Sequence, residues 1–171
     1  DMYNVAVGHS AGLAVTTGLQ NTLIGGLAGD ALTDADYNVA IGTSALTSDT
    51  LGSRSTAIGT SALATQNLTS ATDVYNTALG FAAGQAVTTG VQNTFVGGLA
   101  GDATDDGTNN VAVGFEALSA NCGSGNTAIG TRAGKTTTAD NNTFVGNNAG
   151  TAVTTGTNNT ALGATALDSN T

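Results

Sequence analysis

One phrase returns ten times along this chain, and its period restricts the folds open to the whole. Aligned on the glycine of N-[TV]-[AFL]-[VIL]-G-x-x-A-[GL], the copies centre on Gly8, Gly25, Gly42, Gly59, Gly80, Gly97, Gly114, Gly130, Gly146 and Gly163. The spacings are 17, 17, 17, 21, 17, 17, 16, 16 and 17 residues. Asn opens nine of the ten copies, with Ser55 the exception, and an Ala follows every glycine by three places. A larger unit overlies the small one: Gly8 to Gly80 spans 72 residues, "AVTTG" recurs at 14–18, 86–90 and 152–156, and "GLAGDA" recurs at 26–31 and 98–103. The chain therefore reads as grown by duplication of blocks. Helix-pair repeats need roughly 33–47 residues, so they are too long for this period. One turn of a β-solenoid fits, because extended chain rising about 3.3 Å per residue can supply two short strands and two turns. The predicted fold is all-β: a parallel β-solenoid, or β-roll, of about ten coils of 16–17 residues. It occupies 1–171 as one repeat domain, expected to be a fragment of a longer repetitive fibre. At about 4.8 Å per coil, ten coils make a rod of roughly 48 Å.

Composition agrees with a thin, regular core. Ala (29), Thr (31), Gly (25) and Asn (17) fill 102 of 171 positions, so bulky side chains are scarce. Charged residues are 9% of the chain, against about 25% in an average domain. With 40% apolar residues, the charge-rich, poorly hydrophobic signature of disorder is missing. The net charge of −9 includes only three cations, Arg54, Arg132 and Lys135. No basic patch exists to neutralise phosphates, so no nucleic-acid partner is expected. No run of about 18 apolar residues suggests membrane insertion. The single cysteine, Cys122, excludes an internal disulfide.

The strand segment typified by "NTAIG" is apolar on both faces, as in a strand covered on both sides. One face carries Thr or Val followed by Val7, Ile24, Ile41, Ile58, Leu79, Val96, Val113, Ile129, Val145 or Leu162. The other carries Ala6, Leu23, Ala40, Ala57, Ala78, Phe95, Ala112, Ala128, Phe144 and Ala161. Taken as the outward side, this second face is an apolar stripe that would be a liability on a monomer. It predicts burial against identical neighbours, with small Ala allowing close approach round a symmetry axis. The alternative is that these residues fill the solenoid while the Val/Ile face packs elsewhere.

The phrases "NVAIGTSAL" (38–46), "STAIGTSAL" (55–63) and "NTAIGTRAG" (126–134) resemble the head repeats of trimeric autotransporter adhesins. They are similar, more closely still, to the N-T-A-[VI]-G-x-x-A-G arrays of bacteriophage tail-fibre proteins, over essentially the whole chain. The resemblance implies a homotrimer of parallel β-rolls forming a stiff shaft or head at a virion or cell surface. A host-surface receptor or glycan is the partner implied. Adhesin heads have a shorter coil, which leaves the cross-section here open. A monomeric solenoid that assembles end to end into an extracellular filament is the competing expectation.

Motifs for chemistry are sparse. "GTRAGKTT" (130–137) approaches a phosphate loop but has three residues between its glycines instead of four, and its phrase recurs ten times. A turn-forming role fits the repeated glycines better. The recurring Asn is expected to cap a turn or to bond along a ladder of stacked Asn. His9, Cys122 and Glu116 are each the only residue of their type, so no catalytic residue, cofactor or enzymatic activity is expected. His9 reads as a solvated loop residue and Cys122 as a surface or half-buried thiol. The acidic loops "GDALTDADYN" (29–38) and "GDATDDGTNN" (101–110) place Asp30 with Asp102 and Asp34 with Asp106 at equivalent positions. These are weak calcium candidates, since calcium takes clustered carboxylate and carbonyl oxygens but the spacing fits no calcium-loop pattern. Ice binding would need T-x-T ranks, which the strands lack. Recognition, if this segment performs any, is expected in loops 64–75, 102–109 and 119–125.

Overall fold

Between the opening Asn and the glycine, each motif offers three residues free of turn formers, and each triplet becomes a strand. The computed structural model describes residues 2–169. It contains β1 (Val5–Val7), β2 (Thr22–Ile24), β3 (Val39–Ile41), β4 (Gly52–Ser53), β5 (Thr56–Ile58), β6 (Thr72–Asp73), β7 (Thr77–Leu79), β8 (Thr94–Val96), β9 (Val111–Val113), β10 (Thr127–Ile129), β11 (Thr143–Val145) and β12 (Thr160–Leu162). The ten motif strands form one sheet in the order β1-β2-β3-β5-β7-β8-β9-β10-β11-β12. All neighbours are parallel and pair motif to motif, so that Ala128 lies between Ala112 and Phe144. The chain is a parallel β-solenoid of about nine turns.

Two strands per coil were expected, and the structure has one. Among the described residues the only other pairing is β4 with β6, formed where the long coil after Gly59 adds its four extra residues. Elsewhere the return path is held by single cross-coil bonds, for example Gly12 N–H to Ala28 C=O (3.0 Å), Leu63 to Ala83 (3.0 Å) and Gly134 to Ala149 (2.8 Å). The physical reason is curvature. Three left-handed corners per coil, such as Arg54, Ser61 and Leu63 (φ 64°, 58° and 49°), leave no extended stretch long enough for a second ladder. The motif glycine makes the sharpest bend. Gly130 has φ +135°, and a Cβ there would lie 2.5 Å from the carbonyl oxygen of Gly146 in the next coil. Both conformation and coil spacing therefore demand glycine.

The Asn column closes each coil and joins it to the next. Asn93 Nδ2 donates across its own coil to Gly107 C=O (2.9 Å), while its Oδ1 accepts the Asn110 backbone N–H (2.9 Å). The same pair of bonds occurs at Asn21, with Ala35 C=O (2.7 Å) and Asn38 N–H (2.9 Å). Ser55 lacks the amide, and Gln66 replaces it. Gln66 Nε2 donates to Ser55 Oγ (3.0 Å) and to buried Asp49 Oδ2 (2.6 Å), and its Oε1 accepts from Asn76 Nδ2 (2.9 Å). Asp49 also accepts the backbone N–H groups of Gly52 and Leu68, so this buried carboxylate is fully hydrogen-bonded.

The interior is packed by reciprocal substitution. Where the strand carries Ala40, Ala57 or Ala112, the residue after the conserved Ala is Leu46, Leu63 or Leu118. Where it carries Leu23, Phe95 or Phe144, that residue is Gly29, Gly101 or Gly150, and the preceding coil also has a glycine there. Leu23 sits between Gly12 and Gly29, Phe95 between Gly84 and Gly101, and Phe144 between Gly134 and Gly150; a Cβ on any of these glycines would meet the large side chain at 2.3–2.8 Å. This pairing corrects the outward assignment of Ala6, Leu23, Ala40, Ala57, Ala78, Phe95, Ala112, Ala128, Phe144 and Ala161. Nine of them are buried within the single chain, and Ala6 is exposed only in the first coil. They line the lumen because it has room for small residues and, at three coils, a glycine-walled slot for a large one. They cannot be the contact surface between chains.

Candidate functional site

With the Ala/Phe side turned inward, the aliphatic side of the sheet faces out. Val7, Ile24, Leu79, Ile129 and Leu162 are exposed, and Ile41, Ile58, Val96, Val113 and Val145 are half-buried. A parallel column two residues upstream holds three Val and seven Thr, from Val5 through Thr94 to Thr160. At one lip stand Phe81 and Phe115, 61% and 46% exposed. They occupy equivalent places two coils apart, with Gly98 between them. The result is an uncovered strip ten strands long, with one continuous aliphatic column beside a column of seven Thr and three Val.

The charged residues lie on other corners. Asp30 accepts from Thr47 Oγ1 (2.6 Å), Asp34 from Thr17 Oγ1 (2.6 Å) and Asp105 from Thr88 Oγ1. Asp106 is exposed, and one oxygen of Asp102 is buried without a hydrogen bond. The four acidic candidates are thus spread over two loops four coils apart, with Asp30 and Asp34 tied to threonines of neighbouring coils. Among the described residues no three His, Cys, Asp or Glu side chains converge as metal ligands would. Desolvation raises the Asp102 carboxyl above the usual range, with the nearby Glu116 charge adding to it. Lys135 (2.7 Å) and Arg132 (2.9 Å) both bind Glu116 Oε2 and hold that carboxylate below its usual range.

A second cluster surrounds the inserted loop. The Arg54 guanidinium lies 4.6 Å from the centre of the Tyr37 ring, its Nε bonds Asp73 Oδ1 (2.9 Å), and Tyr75 OH donates to Asp73 Oδ2 (3.2 Å). Loop 64–75 therefore contributes side chains to a defined group, whereas 102–109 and 119–125 are knitted into cross-coil bonds such as Asp105 N–H to Asn121 Oδ1 (3.1 Å) and Thr108 N–H to Ser124 Oγ (3.0 Å). Sequence reasoning missed the grouping because its members come from coils 17 and 21 residues apart.

His9 is exposed, as expected. Cys122 is not a surface thiol: it is buried in the lumen column that also contains Val87, Thr104, Thr137 and Val153, with its Sγ 3.2 Å from Thr104 Oγ1. Cys122 lies 18 residues after Thr104 and 15 before Thr137, off the 16–17-residue period, which hides this column from simple counting. Burial raises the thiol's pKa, so it stays protonated and unreactive. Among the described residues no pocket opens and no helix is long and apolar enough to cross a membrane. Comparison with protein-family models, curated proteins and solved structures returns no match.

Proposed function

We propose that this chain is a rigid structural segment of an elongated attachment fibre, assembled as a homotrimer through its outward strand face. The setting that fits is a phage tail fibre or a surface adhesin, outside the cell. The observation that carries the reading is the continuous apolar column Val7 to Leu162 on the outer side of the sheet. Ten strands about 4.8 Å apart and about 10 Å long make a face of roughly 480 Å². The aliphatic column makes up about half of that face, a continuous apolar stripe of the kind that marks interaction sites on soluble proteins. Its repeating, nearly identical ranks suit a second and third copy of the same chain better than an unrelated partner, because each rank meets its own equivalent. The mechanism is mechanical: coils template one another, nearest-neighbour contacts add along the axis, and the rod carries load.

Multi-angle light scattering coupled to size exclusion tests this. A discrete mass of three chains is expected for the native sequence. Val96→Asp, at the middle of the face, is expected to yield monomers, while Thr89→Asp on the exposed return segment leaves the mass unchanged. A native protein that runs as a monomer or as an open-ended polymer refutes the proposal.

A further inference from the structure

We infer that Tyr37, Arg54, Asp73 and Tyr75 form a binding site for a neutral glycan. The concentration of residue types is the first support. The chain has three Tyr and three Lys or Arg in 171 residues, and two of those Tyr and one of those cations meet here. The second support is construction. Tyr37, Arg54 and Tyr75 occupy the left-handed corner just before the Asn column in three successive coils, with φ of 59°, 64° and 55°. That conformation turns their side chains outward from one edge, about 4.8 Å apart. Asp73 is supplied by the long coil after Gly59, where β6 pairs with β4 in the register Ser53↔Asp73. The single large departure from the repeat thus delivers the carboxylate that joins Arg54 to Tyr75.

The chemistry identifies the ligand class. All four side chains are substantially exposed, with Tyr37 at 45% and Tyr75 at 53%. Arg54 uses Nε for Asp73, and a guanidinium has further N–H donors to offer. Asp73 accepts, Tyr75 OH, its proton given to Asp73, accepts as well, and the two rings add apolar surface with few rotatable bonds. Donors and acceptors interleaved beside aromatic carbon match the hydroxyls and C–H faces of a saccharide. Asp73 neutralises Arg54, and the chain carries −9 overall, so a sulfated or phosphorylated polymer would be repelled. Among the described residues no pocket is present to anchor a hydrophobic peptide. The cross-linked cluster is already ordered, which removes part of the entropic penalty of binding. This inference names a partner for the attachment reading but does not use the outward strand face, so a monomer would carry the site equally.

Saturation-transfer NMR with neutral cello-, malto-, xylo- and galacto-oligosaccharides tests it, with a heparin fragment as the anionic comparison. At least one neutral oligosaccharide is expected to receive saturation and to shift the backbone amides of Tyr37, Arg54 and Tyr75 on titration. Tyr37→Gln and Arg54→Gln suit the fold, because Gln20 and Gln92 already occupy that corner. Each is expected to weaken binding at least tenfold while circular dichroism and mass stay native. The inference is overturned if no neutral oligosaccharide binds, if only the heparin fragment binds, or if both variants bind as tightly as the parent. A trimer that ignores glycans sinks this inference alone, and a glycan-binding monomer sinks only the trimer.

Discussion

Phe95 and Gly101 provide the most demanding test of how the lumen is packed. Phe95 is fully buried, and a Cβ added at Gly84 or Gly101 would come within 2.8 or 2.5 Å of its ring. Phe95→Ala should cost about 4 kcal/mol, well into the usual range, because glycines on both sides have no side chain to relax into the hole. Gly101→Leu alone should cost about 3 kcal/mol, from a clash with the ring. The backbone itself tolerates Leu, since Leu46, Leu63 and Leu118 hold φ of 53°, 49° and 49° at the equivalent place. The double variant recreates the Ala–Leu coils already present at Ala40/Leu46, Ala57/Leu63 and Ala112/Leu118. It loses about six carbons and regains about four, a deficit of roughly 1.6 kcal/mol at about 0.8 kcal/mol per carbon. Placing Leu instead of Gly in a left-handed conformation adds about 1 kcal/mol. The expected loss is therefore about 2.6 kcal/mol, against about 7 for the sum of the singles. Guanidinium unfolding followed by far-UV circular dichroism measures this, at one protein concentration because assembly makes midpoints concentration-dependent. A double variant no more stable than Phe95→Ala would refute reciprocal packing as the rule of this core.

Two further predictions concern polar groups. Asn93→Ala removes the acceptor of the Asn110 N–H and the donor to Gly107 C=O. Leaving two buried backbone groups unpaired is expected to cost about 2–4 kcal/mol, whereas exposed Thr131→Ala should stay within about 0.5 kcal/mol in the same unfolding experiment. An Asn93→Ala loss no larger than that of Thr131→Ala would remove the Asn ladder from the account. Asp102 gives the pH dependence. Its folded-state carboxyl is raised, so the native state holds its proton more tightly than the unfolded chain does, and stability falls as pH rises through the folded value. Asp102→Asn should raise the melting temperature at neutral pH, with the gain vanishing below the ordinary carboxylate range. A gain of equal size at both pH values, or a loss at neutral pH, would contradict the desolvation argument.

How much was legible follows from what repeats. The period, the parallel stack and the Asn and Gly columns could be read because every coil states them again. Which face of the strand looks inward could not be read from "NTAIG" alone, since Ala, Val and Ile are all apolar. The deciding signal lay six places away and in the adjacent coil: Leu23, Phe95 and Phe144 occur only where glycine follows the conserved Ala. A contact surface that tolerated Phe in one coil and Ala in the next would need no such compensation, whereas a closed lumen does. The expected second strand failed because Thr-Gly and Asp-rich return segments suit turns as readily as extended chain, and left-handed corners at non-glycine residues leave no local signature. Gln66 standing in for the missing amide at Ser55 was equally hidden, because an insertion places it on a different count from the Asn it replaces.

Reciprocal packing also limits how such a chain can grow. Each large lumen residue needs a glycine in its own coil and another in the coil before, so the packing unit spans two coils. Inserting an unrelated coil between the two would part Phe95 from Gly84, and moving the Phe95 coil to follow Leu63 or Leu118 would put its ring beside a large side chain. The 72-residue shift that relates Gly8 to Gly80 carries Gly12, Leu23 and Gly29 onto Gly84, Phe95 and Gly101 as a set. Within that set Leu23 stands where Phe95 stands 72 residues on, and both fit between the same glycine walls. The outward column has no such partners within the chain, and it remained aliphatic in all ten coils while loops, corners and coil lengths diverged. A surface that uniform is what the proposed contact with other copies of the same rod would require, beyond the in-register stacking that the strands provide themselves.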